Sequence, residues 1–387
     1  MALVVIVIAE FLGTSLWFSA NGVADRLALD WGLTPVELGY LTSSVQLGFI
    51  AGTLVFAVSG LADRYPASRI FLISALIGAV ANAGFALWAN SVAVGAVFRF
   101  ITGVTLAGIY PVGMKLVVSW APERRGAALG WLVGMLVLGT AFPHLVHGIG
   151  AALDWHTVVL VSSVLAVGAG VAVARMGDGP HHPRSGELSW GAVFRAFRVP
   201  GFRAAAMGYF GHMWELYAVW TVAPLLIARA LAEAGWGTSA VAVLSFGFIA
   251  MGGVGCVLGG WLSRHVGSAR VAFVALAISG ALCVAYPWLD GTPLWVTLSA
   301  MAVWGLAVAA DSPQFSALAA AEAPVESLGS ALAIMNSIGF LITVLAIQLV
   351  TSNWQELGPT VAWLLAPGPV LGLWSMRRMV VGQPATV

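Results

Sequence analysis

The chain has 387 residues, of which 60% are hydrophobic and only 9% charged, whereas an ordinary soluble domain carries about 25% charged residues. Water is therefore not its main solvent. A net charge of +1 with scattered basic residues leaves no stripe able to follow a phosphate backbone, which sets nucleic-acid binding aside.

A membrane span needs about 17–25 mostly apolar residues, and such runs occur at 2–20, 36–58, 68–89, 92–119, 126–151 and 155–175. The first run ends in small residues as a secretory leader does, but it lacks a basic opening and contains Glu10, so it reads as a retained span. A polar stretch at 176–202 follows, and then runs recur at 203–228, 238–262, 268–288, 293–320, 328–351 and 358–376. This predicts an all-α membrane protein with twelve transmembrane helices in two six-helix bundles, 1–175 and 203–387, the second carrying a short tail. Within the linker, Trp190, Val193, Phe194 and Phe197 recur at helical spacing with Arg195 and Arg198 on another side, the pattern of a short helix lying on the membrane surface. Cys256 and Cys283 sit inside apolar runs without metal-ligand spacing and read as inert buried thiols.

Orientation follows from the basic residues, because positive charge in short loops stays cytoplasmic. Alternate connections and the tail hold Arg64, Arg69, Arg124, Arg125, Arg175, Arg184, Arg195, Arg198, Arg203, Arg264, Arg270, Arg377 and Arg378, while the opposite set holds only Arg26 and Arg229. Both termini and the linker are therefore expected on the cytoplasmic face of a plasma (inner) membrane, in a chain read as a monomer.

The halves repeat each other. Gly103, Pro111 and Pro122 recur as Gly305, Pro313 and Pro324 at a constant offset of 202. Two parallel six-helix repeats build a pseudo-twofold bundle around a central cavity, the architecture of alternating-access carriers.

At this point the residues resemble the major facilitator superfamily over essentially the whole chain. Gly60-Leu61-Ala62-Asp63-Arg64-Tyr65-Pro66-Ala67-Ser68-Arg69 is similar to that family's cytoplasmic loop motif, with Ser59 and Pro66 where the motif has glycines. The resemblance implies a latch between the halves built from Asp63, Arg64 and Arg69. Arg99-Phe100-Ile101-Thr102-Gly103 resembles the family's Arg-x-x-x-Gly motif, whose Arg is associated with proton coupling. The fifth span, with Gly130, Gly134, Gly139 and Pro143, lacks the paired Gly-Pro of the family's drug antiporters.

A charge at the bilayer centre costs at least about 2.5 kcal/mol, so each must face a cavity or a partner. Glu10, Arg99, Lys115, Glu215 and Asp311 lie inside predicted spans. Helical periodicity places Glu10, Thr14, Trp17 and Asn21 on one face, His212 and Glu215 on another, and Arg99 with Tyr110. Glu10, Glu215, Arg99 and Asp311 are the expected proton-coupling groups, although a cap is an equal reading of Asp311. Trp17, Asn21, Arg99, Tyr110, His212, Glu215, Tyr217 and Trp220 are the expected substrate contacts. Lys115 lies near the end of its span, where it can snorkel.

The expected activity is secondary transport of a small organic solute, an anion or zwitterion, coupled to protons; export of amphipathic drugs or cations is the alternative. A channel or non-transporting sensor is the rival of another class. His144 and His147 have no acidic or thiol companion nearby in sequence, and Gly108–Lys115 departs from a phosphate loop at Met114, so neither a metal, a cofactor nor enzymatic chemistry is expected.

Overall fold

The computed structural model describes all residues except 122–124, 151–152, 182–189, 233, 325–327 and 382–387; for 62–63, 125–127, 190–193 and 381 it describes the backbone course alone. Ten stretches are long and apolar enough to cross a bilayer; one of them, Leu328–Val380, contains two helices, and the shorter apolar Ala2–Thr14 opens the chain, so the described residues make twelve passes.

The first bundle comprises α1 (Ala2–Thr14), the short α2 (Ala24–Trp31), α3 (Pro35–Ser59), the one-turn α4 (Leu61–Arg64), α5 (Ala67–Trp88), α6 (Val92–Leu106) with α7 (Tyr110–Trp120), α8 (Arg125–Ile149) and α9 (Trp155–Met176). Then come α10 (Trp190–Arg198) and the second bundle, α11 (Pro200–Leu231), α12 (Thr238–Val266), α13 (Ser268–Ala285), α14 (Leu294–Ala310) with α15 (Ser312–Glu322), α16 (Leu328–Leu357) and α17 (Pro367–Val381). Both ends of the chain and α10 share one side, called here the linker side; α2 lies on the far side.

Local chemistry sets the helix ends. Thr34 and Glu37 form a reciprocal capping box at the start of α3, with Pro35 in its first turn, where a missing N–H costs nothing. Gly60 ends α3 in the left-handed region at φ 64°. At the start of α5, both carboxylate oxygens of Asp178 accept from the backbone N–H groups of Ala67 and Ser68, at 3.0 and 2.7 Å, supplying a cap from the segment just after α9.

Two predicted spans are broken rather than continuous. The run 92–119 is interrupted at Ala107–Ile109, and the run 293–320 at Asp311. Pro111 and Pro313 each stand in the first turn of the second segment, so the repeated prolines mark equivalent helix breaks. Pro313 has no N–H for the carbonyl of Ala309, and the Cys256 thiol donates to that carbonyl instead, at 3.1 Å. Cys256 is thus a packing residue with a hydrogen-bonding task.

The repeated glycines also acquire a reason. A Cβ on Gly103 would collide with the carbonyl of Val45 on α3, and one on Gly305 with the carbonyl of Phe248 on α12. In each half the fourth span abuts the second backbone to backbone, and only a small residue permits that approach. Between halves, α8 packs on α12 and α3 on α16. A Cβ on Gly134 would lie 3.1 Å from the carbonyl of Gly253, and Gln348 Nε2 donates to Ser43 Oγ at 2.8 Å toward the far side.

On the far side, His147 approaches Asp25 at 3.0 Å. Burial disfavours the Asp25 carboxylate, but the His147 hydrogen bond and charge, together with Arg26, outweigh it and hold Asp25 below its ordinary value. A depressed carboxyl contributes stability above its unfolded pKa, near 3.9, and loses it as pH falls through the folded value. Wild-type protein should therefore lose thermal stability as pH falls below about 4, and Asp25→Asn should flatten that part of a melting-temperature series.

Candidate central site

The buried ionisable groups fall into three separate clusters, set by where the helices break. α1 stops at Thr14 and the chain continues through turns at Ser15–Ala20 and a short 3-10 segment, Asn21–Val23. The single face predicted for Glu10, Thr14, Trp17 and Asn21 is lost at that point, because 100° per residue holds only within a continuous helix. Asn21 Nδ2 donates to Thr42 Oγ1 at 2.8 Å, whereas Trp17 turns toward the other half.

Glu10 is fully buried, and neither carboxylate oxygen has a partner among the described residues. It lies against the first turn of α7, where Gly113 leaves the room: a Cβ there would strike Oε2. Lys115 is partly buried and has contacts of its own.

Arg99 is fully buried too. Nη1 donates to the Leu16 carbonyl, Ser19 Oγ and Asn82 Oδ1 at 3.0, 2.9 and 3.2 Å, and Nη2 donates to the Trp17 carbonyl. Asn82 accepts from Ser19 Oγ at 2.6 Å and donates to the Val159 carbonyl and Ser163 Oγ at 2.9 and 3.0 Å. The shared face expected for Arg99 and Tyr110 is not formed: the break at 107–109 uncouples the two registers, and Arg99 caps the unwound end of α1. Asn82 was missed in the sequence, although a lone amide inside the run 68–89 was its signal.

In the second half, Glu215 Oε1 accepts from Trp304 Nε1 at 2.6 Å, from Cys283 Sγ at 3.2 Å and from Ser279 Oγ. His212 Nδ1 lies 2.9 Å from Asp311 Oδ1, both 1% exposed, close in distance but without hydrogen-bond alignment. His212 and Glu215, read as substrate contacts, thus turn into the second bundle, and Cys283 is a hydrogen-bond donor rather than an inert filler. Asp311 stands at the N-cap position of α15, in the break between α14 and α15, but its side chain makes no capping hydrogen bond.

What lies between the halves is aromatic. Trp17 stacks on Tyr217 and on Phe340 at 5.8 Å each, Phe49 meets Phe340 at 4.4 Å, and Phe18 lies edge-on to Trp220 at 6.2 Å. Below this stack, toward the linker side, is a cavity of about 40 Å³ whose walls include Tyr110, Tyr209, Tyr217, Trp220, Ser316 and Asn336. It admits a few waters and no organic solute, so loading requires the halves to part. Trp220 is 1% exposed, and its indole N–H has no partner. No acidic residue is among the lining residues. Tyr110, Tyr217 and Trp220 of the expected contacts do line the cavity; Tyr209, Phe340 and Asn336 were missed, because aromatic and amide residues in spans carry no signal of which way they face. A roomier pocket of about 490 Å³ opens on the far side beside the exposed Arg229–Asp290 pair, but none of Glu10, Arg99, His212, Glu215 and Asp311 lines it.

The sequence model of the Major Facilitator Superfamily matches residues 6–347. The chain belongs to the major facilitator superfamily. Among its relatives, the niacin transporter NiaP of Acinetobacter baylyi is 35% identical over 156 residues, 38% of this chain and 33% of that protein. The 3-(3-hydroxy-phenyl)propionate transporter of Escherichia coli is 34% identical over 152 residues, 38% of this chain and 35% of that one. The 4-hydroxybenzoate transporter PcaK of Pseudomonas putida is 29% identical over 153 residues, 37% and 32% of the two chains. The match thus spans about a third of each of these relatives' length. In fold, the chain is similar to the crystal structure of a bacterial homologue of the human lysosomal transporter Spinster, described as inward-facing and unoccupied, with a TM-score of 0.70 at 16% identity over 98% of this chain and 93% of that one. The geometry is therefore that of a multi-pass membrane protein of this superfamily. Of the loop motif, the Asp63 side chain lies outside the described residues, while Arg64 is exposed at the end of α4 and Arg69 lies in the first turn of α5. In α10, the side chains of Trp190 and Val193 also lie outside the described residues; Phe194 is exposed, and Phe197 packs edge-on against Phe202 at 5.1 Å.

Proposed function

We propose that this protein carries small aromatic monocarboxylates across the membrane by alternating access, with a proton as the coupled ion. The observation that carries the reading is the aromatic stack shared by the halves, Trp17 and Phe49 from one and Tyr217 and Phe340 from the other, beside a cavity without an acidic lining. Such walls suit a planar ring, and the unpartnered Trp220 N–H suits an acceptor on it. An amphipathic cation finds no carboxylate there. Three relatives are named for niacin, 3-(3-hydroxy-phenyl)propionate and 4-hydroxybenzoate, all ring-bearing acids, which supports the same class.

Glu10 is the proton carrier in this reading, since a buried carboxylate without partners is tolerated in an apolar medium only when neutralised. Glu215, tied by three donors, and Asp311, beside His212, belong to the second bundle's own transitions. Two domains, 1–175 and 203–387, move about the linker 176–202; both termini face the cytoplasm, and Asp63, Arg64 and Arg69 latch the halves on that side. The protein acts as a monomer in the inner membrane.

Proteoliposomes test the reading. Labelled 4-hydroxybenzoate or nicotinate should enter saturably, show counterflow, and accumulate when the lumen is made alkaline. Uptake without saturation or counterflow would replace the carrier with a channel, and accumulation indifferent to the pH gradient would remove the proton.

A further inference from the structure

Arg99 is a fully buried cation whose partners are all neutral: two backbone carbonyls, a hydroxyl and an amide oxygen, with the Phe85 ring 5.9 Å away. Among the described residues it takes part in no ion pair. A buried charge without a counter-ion is costly, and its guanidinium stays ionised under all ordinary conditions. The carbonyls of Leu16 and Trp17 lie in the turns just past the C-terminal end of α1, whose dipole offsets at most about half a charge. The rest is uncompensated. Glu10, the acid on α1, lies four residues back from the helix end at Thr14, about 6 Å along the axis.

The position of that residual charge is informative. Arg99 holds the carbonyl of Trp17, while the Trp17 ring forms the wall between the halves, stacked on Tyr217 and Phe340. The guanidinium therefore sits one side chain behind the aromatic wall, in a low-dielectric bundle where its field reaches through. We infer that Arg99 sets the preference for anions by acting through the Trp17 wall, as a positioning and field-setting residue that never touches the solute. This rests on the central-cavity reading above and adds to it the origin of charge selectivity. A residual charge of one half to one, about 10 Å from the bound carboxylate at an effective dielectric near 20, favours the anion over its neutral isostere by about four- to seventeenfold.

The test uses isosteric pairs, benzoate against benzamide and nicotinate against nicotinamide, with equilibrium binding to the purified full chain at neutral pH. Wild-type protein should favour the acid of each pair. Arg99→Gln removes the charge. Asn82→Asp instead keeps Arg99 and sets a carboxylate at the position of Asn82 Oδ1, 3.2 Å from Nη1, so it decides the matter if Arg99→Gln does not fold. Both should lower the acid-to-amide affinity ratio by about four- to seventeenfold, whereas loss of a merely structural contact weakens acid and amide together and leaves the ratio alone. An unchanged ratio in the folded variants overturns the inference and leaves the cavity reading standing. A wild-type protein without acid preference overturns both.

Discussion

Glu10→Gln should abolish proton-driven accumulation while sparing counterflow. In proteoliposomes with the lumen one pH unit more alkaline, a carrier moving one proton with each monoanion can sustain about tenfold accumulation, because each pH unit is worth about 1.4 kcal/mol. The glutamine variant should stay near onefold, with counterflow within about a factor of three of wild type. Its fold should survive, because the Glu10 carboxylate makes no hydrogen bond that an amide would break and Gln is nearly isosteric. Accumulation that persists in Glu10→Gln would pass the coupling role to the second bundle, where Glu215 and the His212–Asp311 pair are the remaining buried acids.

Replacing Gly103 or Gly305 by Leu should destabilise the folded bundle by about 3 kcal/mol or more, at the upper end of overpacking effects. In each case the new Cβ alone meets a backbone carbonyl, of Val45 or of Phe248, and a carbonyl inside a helix cannot swing aside as a flexible side chain can. The contact is also one of backbone approach, which is what holds apolar helices together where lipid removes the hydrophobic drive. Thermal unfolding of the purified variants in detergent checks this, with alanine substitutions expected to fall between wild type and leucine. Gly168, which has nothing within 4 Å of a built Cβ, supplies the control: Gly168→Ala should not lower stability, and the gain in helix propensity should raise it by at most about 1 kcal/mol. Wild-type stability in Gly103→Leu and Gly305→Leu would mean that the spans pack at a different register.

The sequence by itself determined the spans, their grouping and the pseudo-repeat. A hydrocarbon solvent forces long apolar helices whatever their neighbours, so Pro35–Ser59 or Trp155–Met176 is readable from hydropathy alone. The offset that relates Gly103-Pro111 to Gly305-Pro313 likewise marks equivalent helix contacts and breaks through residue spacing alone. Only the tertiary structure decided which way each buried charge turns. Periodicity placed Arg99 beside Tyr110 and Glu10 beside Trp17, but helical phase does not survive the breaks at 107–109 and after Thr14. Partners such as Trp304 for Glu215, 89 residues on, or Leu16 for Arg99, 83 residues back, come from helix packing, which sequence spacing cannot encode. The consequence is that the aromatic residues line the cavity and the charges stand behind them, since an ion in this medium takes whichever hydrogen-bonding groups the assembled helices bring within reach.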